Sequence, residues 1–328
     1  MATQTSVNVA EAEADTLTEA FRQDVLAGLA QDRKAIPARW FYDLRGSELF
    51  EQITDLPEYY PTRTEIDILQ GCGKDVAEGV GPGRTVVEFG AGSAAKTPLL
   101  LDKVSASGYV PIDISGEFLR ESCKAVARRY PGLPIYPIEA DFTQPVSIPD
   151  ELIGHERLGF FPGSTIGNME PADAVDLLRV MRATLDNGSM LLIGLDRIKD
   201  EQVLRNAYDD AAGITAEFNL NLVHRINREL DGTIPVDSLE HRAVWNDNRA
   251  RIEMHLAATD AISFGVDGHE FTMKSGETIH TENSHKYDER MAGQLLLAGG
   301  WEPVRSYRDD DDRFMVILAR AIPDSVNA

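Results

Sequence analysis

The stretch Thr85-Val86-Val87-Glu88-Phe89-Gly90-Ala91-Gly92-Ser93-Ala94-Ala95-Lys96-Thr97 constrains this chain more than any other. Val86, Val87 and Phe89 form a short apolar run that reads as a buried parallel strand. The glycines after it let the backbone turn sharply and approach a ligand. A helix expected to begin near Ala94 would then offer free N–H groups at its N-terminus. Further units of the same kind follow. Strands are predicted at Tyr109–Ile114, Ile135–Glu139, Leu158–Phe161 and Ser189–Leu195, with helices at Ala95–Lys103, Gly116–Arg129 and Ala172–Leu185. Strands alternating with helices imply a parallel sheet, with ligands bound at the carboxyl ends of the strands. Asp113, Asp141-Phe142 and the glycine cluster at 163–167 all fall at such ends.

The loop admits two readings. Gly90-Ala91-Gly92-Ser93-Ala94-Ala95 fits the dinucleotide fingerprint in its G-x-G-x-x-A form, with Asp113 about 20 residues on. The same residues, preceded by Glu88, fit the acidic-x-Gly-x-Gly loop that binds S-adenosylmethionine. A glycine pair is also an ordinary turn. The C-terminal end of the chain bears on this choice: a helix at Asp288–Ala298 leads to strands at Trp301–Arg308 and Arg313–Ala319, separated by four aspartates at 309–312. A doubly wound sheet that closes on such a hairpin favours the S-adenosylmethionine reading over a two-half dinucleotide domain.

Outside the alternating region the pattern changes. A helix is expected at Thr16–Leu29, where Leu17, Phe21, Val25 and Leu29 share one face. Two aromatic-rich stretches follow, at 36–50 and 56–65, and read as irregular segments packed on a core or as a lid. After Asp196 come helices at Asp200–Tyr208 and Ile214–Asn227. Strands are expected at His241–Trp245, Arg251–Ala258, Ala261–Phe264 and His269–Met273. That block is too long for a connection and reads as part of a second lobe. The expected fold class is α/β, a Rossmann-like methyltransferase sheet with a second α+β lobe. The expected domains are 62–196 plus 287–322 for the cofactor and 15–61 plus 197–286 for the substrate, after a disordered tail at 1–14.

Charge limits the partners. The chain carries 32 basic and 54 acidic residues, a net charge of −22, so nucleic acid and anionic membrane are not expected to bind it. Cys72 and Cys123 cannot make a disulfide framework. The seven histidines form no H-E-x-x-H pattern, and no metal is expected. His280 and His285 flank Glu282 in a polar stretch read as loop. No leader and no run of ~18 apolar residues is visible, so the expected location is the cytoplasm.

Several blocks resemble one family. Trp40-Phe41-Tyr42-Asp43, Leu56-Pro57-Glu58-Tyr59-Tyr60-Pro61-Thr62-Arg63-Thr64-Glu65 and Gly163-Ser164-Thr165-Ile166-Gly167-Asn168 are similar to the L-histidine Nα-methyltransferases of ergothioneine biosynthesis. So are Ala207–Gly213, Phe218-Asn219, Asn227–Leu230 and Arg251–Met254. The resemblance spans about residues 17–320. It implies S-adenosylmethionine as cofactor and trimethylation of L-histidine to hercynine, by an enzyme expected to be a monomer. Some relatives methylate other aromatic amino acids, such as a tryptophan derivative.

The resemblance also implies roles. Asn168, Tyr208 and Tyr59, with Gly163 in the same motif, would hold the carboxylate and amine of the substrate. Glu282 would accept from one imidazole nitrogen, Ser284 would meet the other, and Met254 would line the pocket. Tyr42, Phe50 and Tyr59 would cage the methylated ammonium. Glu88, Gly90 and Gly92, with Lys96 nearby, would form the cofactor loop. Asp113 would take the ribose hydroxyls, and Asp141 and Phe142 the adenine.

Overall fold

The computed structural model describes residues 18–323. The tail expected at 1–14, and the helix start at Thr16 and Leu17, lie outside the described residues. Two compact units divide the chain. One comprises the described residues up to 49 together with 211–244 and 253–282; the other comprises 50–210, 245–252 and 283 onward.

The first unit opens with helix α1 at 18–29, whose Phe21, Val25 and Leu29 are buried as the helical spacing requires. Phe21 meets Trp40 with ring centroids 5.1 Å apart, and the Trp40 indole N–H donates to Asp24 at 2.8 Å. Helix α2 (Leu44–Thr54) follows. The second aromatic stretch is irregular only as far as Tyr59: from Tyr60 it enters α3 (Tyr60–Val80), with Pro61 in the first turn, where its missing N–H costs nothing.

The second unit holds the main sheet. Its parallel strands are β1 (Thr85–Phe89), β2 (Gly108–Asp113), β3 (Ile138–Glu139), β4 (Arg157–Phe161) and β5 (Met190–Asp196). Helices α4 (Thr97–Leu101), α5 (Gly116–Arg129) and α6 (Pro171–Leu185) lie between them in sequence. Every residue of β1, β4 and β5 is buried, as expected of strands covered on both faces. One apolar layer contains Leu177, Met181 and Leu296; another contains Ile68, Leu69 and Val76.

Helix α7 (Glu201–Tyr208) is capped by Asp200, which accepts from Gln202 N and Val203 N. Helix α8 (Ile214–Glu229) starts after Gly213 at φ +75°. Then come β6 (Leu239–Asn246), β7 (Arg251–Ala258), the antiparallel hairpin β8 (Ile262–Val266) and β9 (His269–Met273), and β10 (Thr278–His285). The small sheet is ordered β10-β7-β6. In the first unit, the Phe41 ring packs at a tilt against Phe218 of α8, with centroids 4.6 Å apart. The fully buried Asn219 of α8 accepts from Thr281 Oγ1 at 2.8 Å. Back in the second unit, α9 (Glu289–Ala298) precedes β11 (Trp301–Arg308) and β12 (Phe314–Ala321). Strand β12 runs antiparallel to both β11 and β5, giving the order β11-β12-β5-β4-β1-β2-β3. The closing hairpin is therefore present.

Three local expectations need correction. The helix after the glycine loop begins at Thr97 rather than near Ala94, because Gly90, Gly92 and Ala94 all take positive φ (+70°, +52° and +55°). Strand β3 is two residues long, with Ile135 making only an isolated bridge to Tyr109; Pro134 and Pro137 interrupt its ladder. The stretch around Glu282, read as loop, is strand β10, and Glu282, Ser284 and His285 on it are buried. Its polar side chains conceal the alternation because their partners are inside the protein.

Candidate active site

The glycine loop is held open from below. Gly90 N and Ala91 N both donate to Ile112 O, at 2.8 and 3.1 Å. Asp113, the last residue of β2, accepts from Gly92 N at 2.9 Å and Ser115 N at 2.8 Å. Burial raises the Asp113 pKa, against the backbone N–H groups that favour its anion. A carboxylate with one N–H on each oxygen keeps lone pairs for a diol. A Cβ at Gly92 would meet no atom within 4 Å, so the loop leaves space beside it. A Cβ at Gly90 would lie 3.3 Å from the Phe142 ring, which packs edge-on against Phe161 at 5.7 Å. The Asp141 carboxylate receives Thr143 N and Oγ1 at 2.9 and 2.6 Å. Bare backbone at the glycines, a diol-accepting acid at β2 and an aromatic edge after β3 suit an adenosine-bearing cofactor.

Glu88 and Lys96 stand differently. Glu88 is buried beneath the loop, where Thr97 Oγ1 and Tyr109 OH each donate to it at 2.6 Å. Burial pushes its pKa up to about 7. Lys96 pairs at 2.5 Å with Glu65, a buried acid of α3. Glu65 also accepts from Gly163 N at 2.8 Å, so it joins α3, the glycine loop and the turn after β4. The N–H of Gly163 is therefore engaged. Asn168 ends the 3-10 turn at Thr165–Asn168, and among the described residues its amide makes no hydrogen bond.

The largest surprise is a buried charged network. Lys286, fully buried, pairs with Asp196 at 2.7 Å and donates to Ser284 Oγ at 2.8 Å and Tyr208 OH at 3.0 Å. Tyr208 OH and Ser284 Oγ are 2.6 Å apart. Asp196 also receives Tyr60 OH at 2.7 Å and Lys199 Nζ at 2.6 Å. Burial alone would raise the Asp196 pKa, but the two lysines hold it below the usual carboxylate range. Burial lowers Lys199 to about 8. Phe50, Tyr59 and Tyr208 form a run of edge-on rings, each step 6.2 Å.

In the first unit, Met254 and Glu282 are buried, and the Tyr42 ring meets Phe218 at 5.7 Å. Ligand atoms of Glu253, His255 and His280 lie within 4.8 Å of one another, though no metal motif marks them in the sequence. The His255 and His280 rings stack at 4.9 Å, and His280 Nε2 bonds the Glu282 carbonyl at 3.0 Å.

Sequence reasoning missed Glu65, Tyr60, Asp196, Lys199 and Lys286. Asp196 was within reach, since it ends a strand as Asp113 does. Nothing in the spacing links it to Lys286.

Comparison with known proteins agrees with the geometry. The chain is 42% identical over 294 residues to a histidine N-alpha-methyltransferase of Mycolicibacterium smegmatis, covering 87% of this chain and 90% of that one. It is 39% identical over 307 residues to the histidine N-alpha-methyltransferase of Mycobacterium tuberculosis, covering 92% and 94%. A solved S-adenosylmethionine-dependent methyltransferase of Clostridium acetobutylicum shares the fold, with a TM-score of 0.50 at 13% identity over 84% of this chain and 99% of that one. The family model for histidine-specific, S-adenosylmethionine-dependent methyltransferases matches residues 21–321, and the chain belongs to that family.

Proposed function

We propose that this protein trimethylates the α-amine of L-histidine to give hercynine, the first step of ergothioneine biosynthesis. Membership of a histidine-specific family over nearly all the described residues carries the reading. When bound, S-adenosylmethionine supplies a methyl group on a sulfonium, open to in-line displacement by an amine. The chain must then hold a neutral amine in line and exclude water, which is catalysis by orientation.

Asn168 suits this task, because an amide both accepts from an amine and donates to a carboxylate. Tyr59 and Tyr208 are assigned to the same ligand groups, and Gly163 is left its carbonyl. Glu282 is assigned to accept an imidazole N–H in a charge-assisted bond, Ser284 to meet the other nitrogen, and Met254 to line the ring. The faces of Tyr42, Phe50 and Tyr59 suit a quaternary ammonium, which has no hydrogen to donate. For the cofactor, Gly90 and Gly92 allow close approach, Asp113 accepts from the ribose, and Asp141 and Phe142 meet the adenine. Glu88 and Lys96 are assigned to supporting this loop from the interior. Residues 62–196 plus 287–322 are assigned to the cofactor domain and 15–61 plus 197–286 to the substrate lobe. A cytoplasmic monomer is proposed; among the described residues no helix is long and apolar enough to cross a membrane.

Mass spectrometry of L-histidine with protein and S-adenosylmethionine tests the reading, with L-tryptophan in parallel. Stepwise addition of three methyl groups to histidine alone is the expected result. Methylated tryptophan would overturn the role given to Glu282. No product from either would overturn the substrate.

A further inference from the structure

The Lys286 ammonium has three donors and no acceptor. Asp196 Oδ2, Ser284 Oγ and Tyr208 OH take all three, at 2.7, 2.8 and 3.0 Å. Ser284 and Tyr208, at 2.6 Å, must share one of their two hydroxyl hydrogens. The phenol is the stronger acid and the alcohol oxygen the better acceptor. Lys286 Nζ, 4.7 Å over the Tyr208 ring, favours the same polarity. Tyr208 therefore donates to Ser284. Both lone pairs of Ser284 Oγ are then filled, one by Lys286 and one by Tyr208. Only its proton is left to give.

We propose that Lys286 is a specificity-determining residue: it makes Ser284 a donor only, so the imidazole nitrogen meeting Ser284 must bring a lone pair. This rests on the assignment of Ser284 to an imidazole nitrogen. Histidine is then taken as its neutral form in one tautomer, because an imidazolium would set N–H against O–H. An indole, which has only an N–H to offer, is refused on the same ground.

The groups around this trio keep their charge near neutral pH. Asp196 is held ionised by Lys286, just after β10, and by Lys199, and also receives Tyr60 of α3. Lys199, at about 8, remains a cation below that pH. The Tyr59 ring packs edge-on with Tyr208. On the same stretch of chain, Glu282 lies two residues before Ser284. His285 follows Ser284, beside Arg251 and Glu170, its pKa lowered by burial and by Arg251.

The test is NMR of L-histidine carrying 15N in its ring, bound to the full chain with S-adenosylhomocysteine between about pH 5.5 and 7.5. Free imidazole titrates at about 6.5, so binding only the neutral ring adds about tenfold to the affinity loss across that range, on top of an α-amine contribution common to every variant. The expected spectrum shows one protonated and one bare nitrogen down to the lowest pH. In Lys286→Met, Ser284 regains a lone pair and can accept, so the bound ring titrates near its free value and the ring's share of the affinity loss shrinks below about twofold. Ser284→Ala keeps the ion pair and should flatten the profile equally, which covers a Lys286→Met chain that fails to fold. Bound imidazolium in the unaltered protein, or unchanged pH profiles in both variants, would overturn this inference alone. Absence of histidine binding at every pH would remove the proposed function with it.

Discussion

Glu88 and Asp196 are both buried acids, each 1% exposed, on strands of one sheet, yet their surroundings drive them in opposite directions. Glu88 meets two hydroxyls, and burial pushes it up to about 7. Asp196 meets two lysines and a tyrosine, and stays below the usual carboxylate range despite equal burial. Hydroxyls solvate an anion without neutralising its field, whereas a cation at 2.7 Å does both. Glu88 can therefore hold its proton and serve as a neutral strut under the glycine loop. Asp196 is a fixed charge that anchors Lys286.

The greatest asymmetry should appear on deletion. Asp196→Ala leaves Lys286 buried without its counterion, and should cost about 3–5 kcal/mol in urea denaturation. Adding Lys286→Met should recover much of that loss, since the pair then disappears together. A single-variant cost no greater than that of a surface substitution would break the comparison from the Asp196 side.

The pH dependence of Glu88 is next in size. Its folded pKa of about 7 lies above the ordinary 4.5, so the folded state holds the proton more tightly than the unfolded state. That contribution is complete below about 4.5 and is lost as pH rises through about 7. Glu88→Gln has no proton to lose. Its unfolding free energy relative to the unaltered protein should rise, between about pH 4.5 and 8, by on the order of 3 kcal/mol. A flat difference would mean that Glu88 is ionised throughout, as Asp196 is.

The same contrast explains what could be read in advance. The glycine loop, Asp113, the alternation of strands with helices and the closing hairpin are local patterns, set by residues a few positions apart in sequence. Gly90 and Gly92 mark a backbone geometry directly. Lys286, Asp196 and Tyr60 come together only through the fold, with Tyr60 and Asp196 136 positions apart. A buried lysine has the same letter as a solvated one. Strand β10 was hidden for a related reason: Thr281, Glu282 and Ser284 make a polar stretch that reads as loop, although all three are buried.

Glu65 is a third buried acid, paired with the single cation Lys96 and with Gly163 N. Gly194→Ala would press a methyl group into Glu65 Oε1, with the Phe314 ring 3.1 Å from it as well. Glu65 is pinned and can withdraw only by giving up a bond. The variant should lose about 1–3 kcal/mol, the scale for an unpaired buried polar group. S-adenosylhomocysteine affinity, measured by calorimetry, should fall with it. Loss of stability with cofactor affinity intact would separate Glu65 from the loop it is argued to position.

The smallest effect sharpens the comparison most. Thr97→Val removes one of the two hydroxyl donors to Glu88 in a fully buried position, with little change of shape. While Glu88 is protonated, the lost bond is between neutral groups and should cost about 1 kcal/mol. Above about pH 7 the carboxylate is charged, and the same deletion should approach about 2 kcal/mol. The cost of Thr97→Val should thus grow with pH in the unaltered background and stay constant in Glu88→Gln, a double-mutant cycle read by urea denaturation at about pH 5 and 8. If the cost were equal at both pH values in both backgrounds, Glu88 would not change charge in this range. Burial and hydroxyl neighbours would then have failed to distinguish it from Asp196.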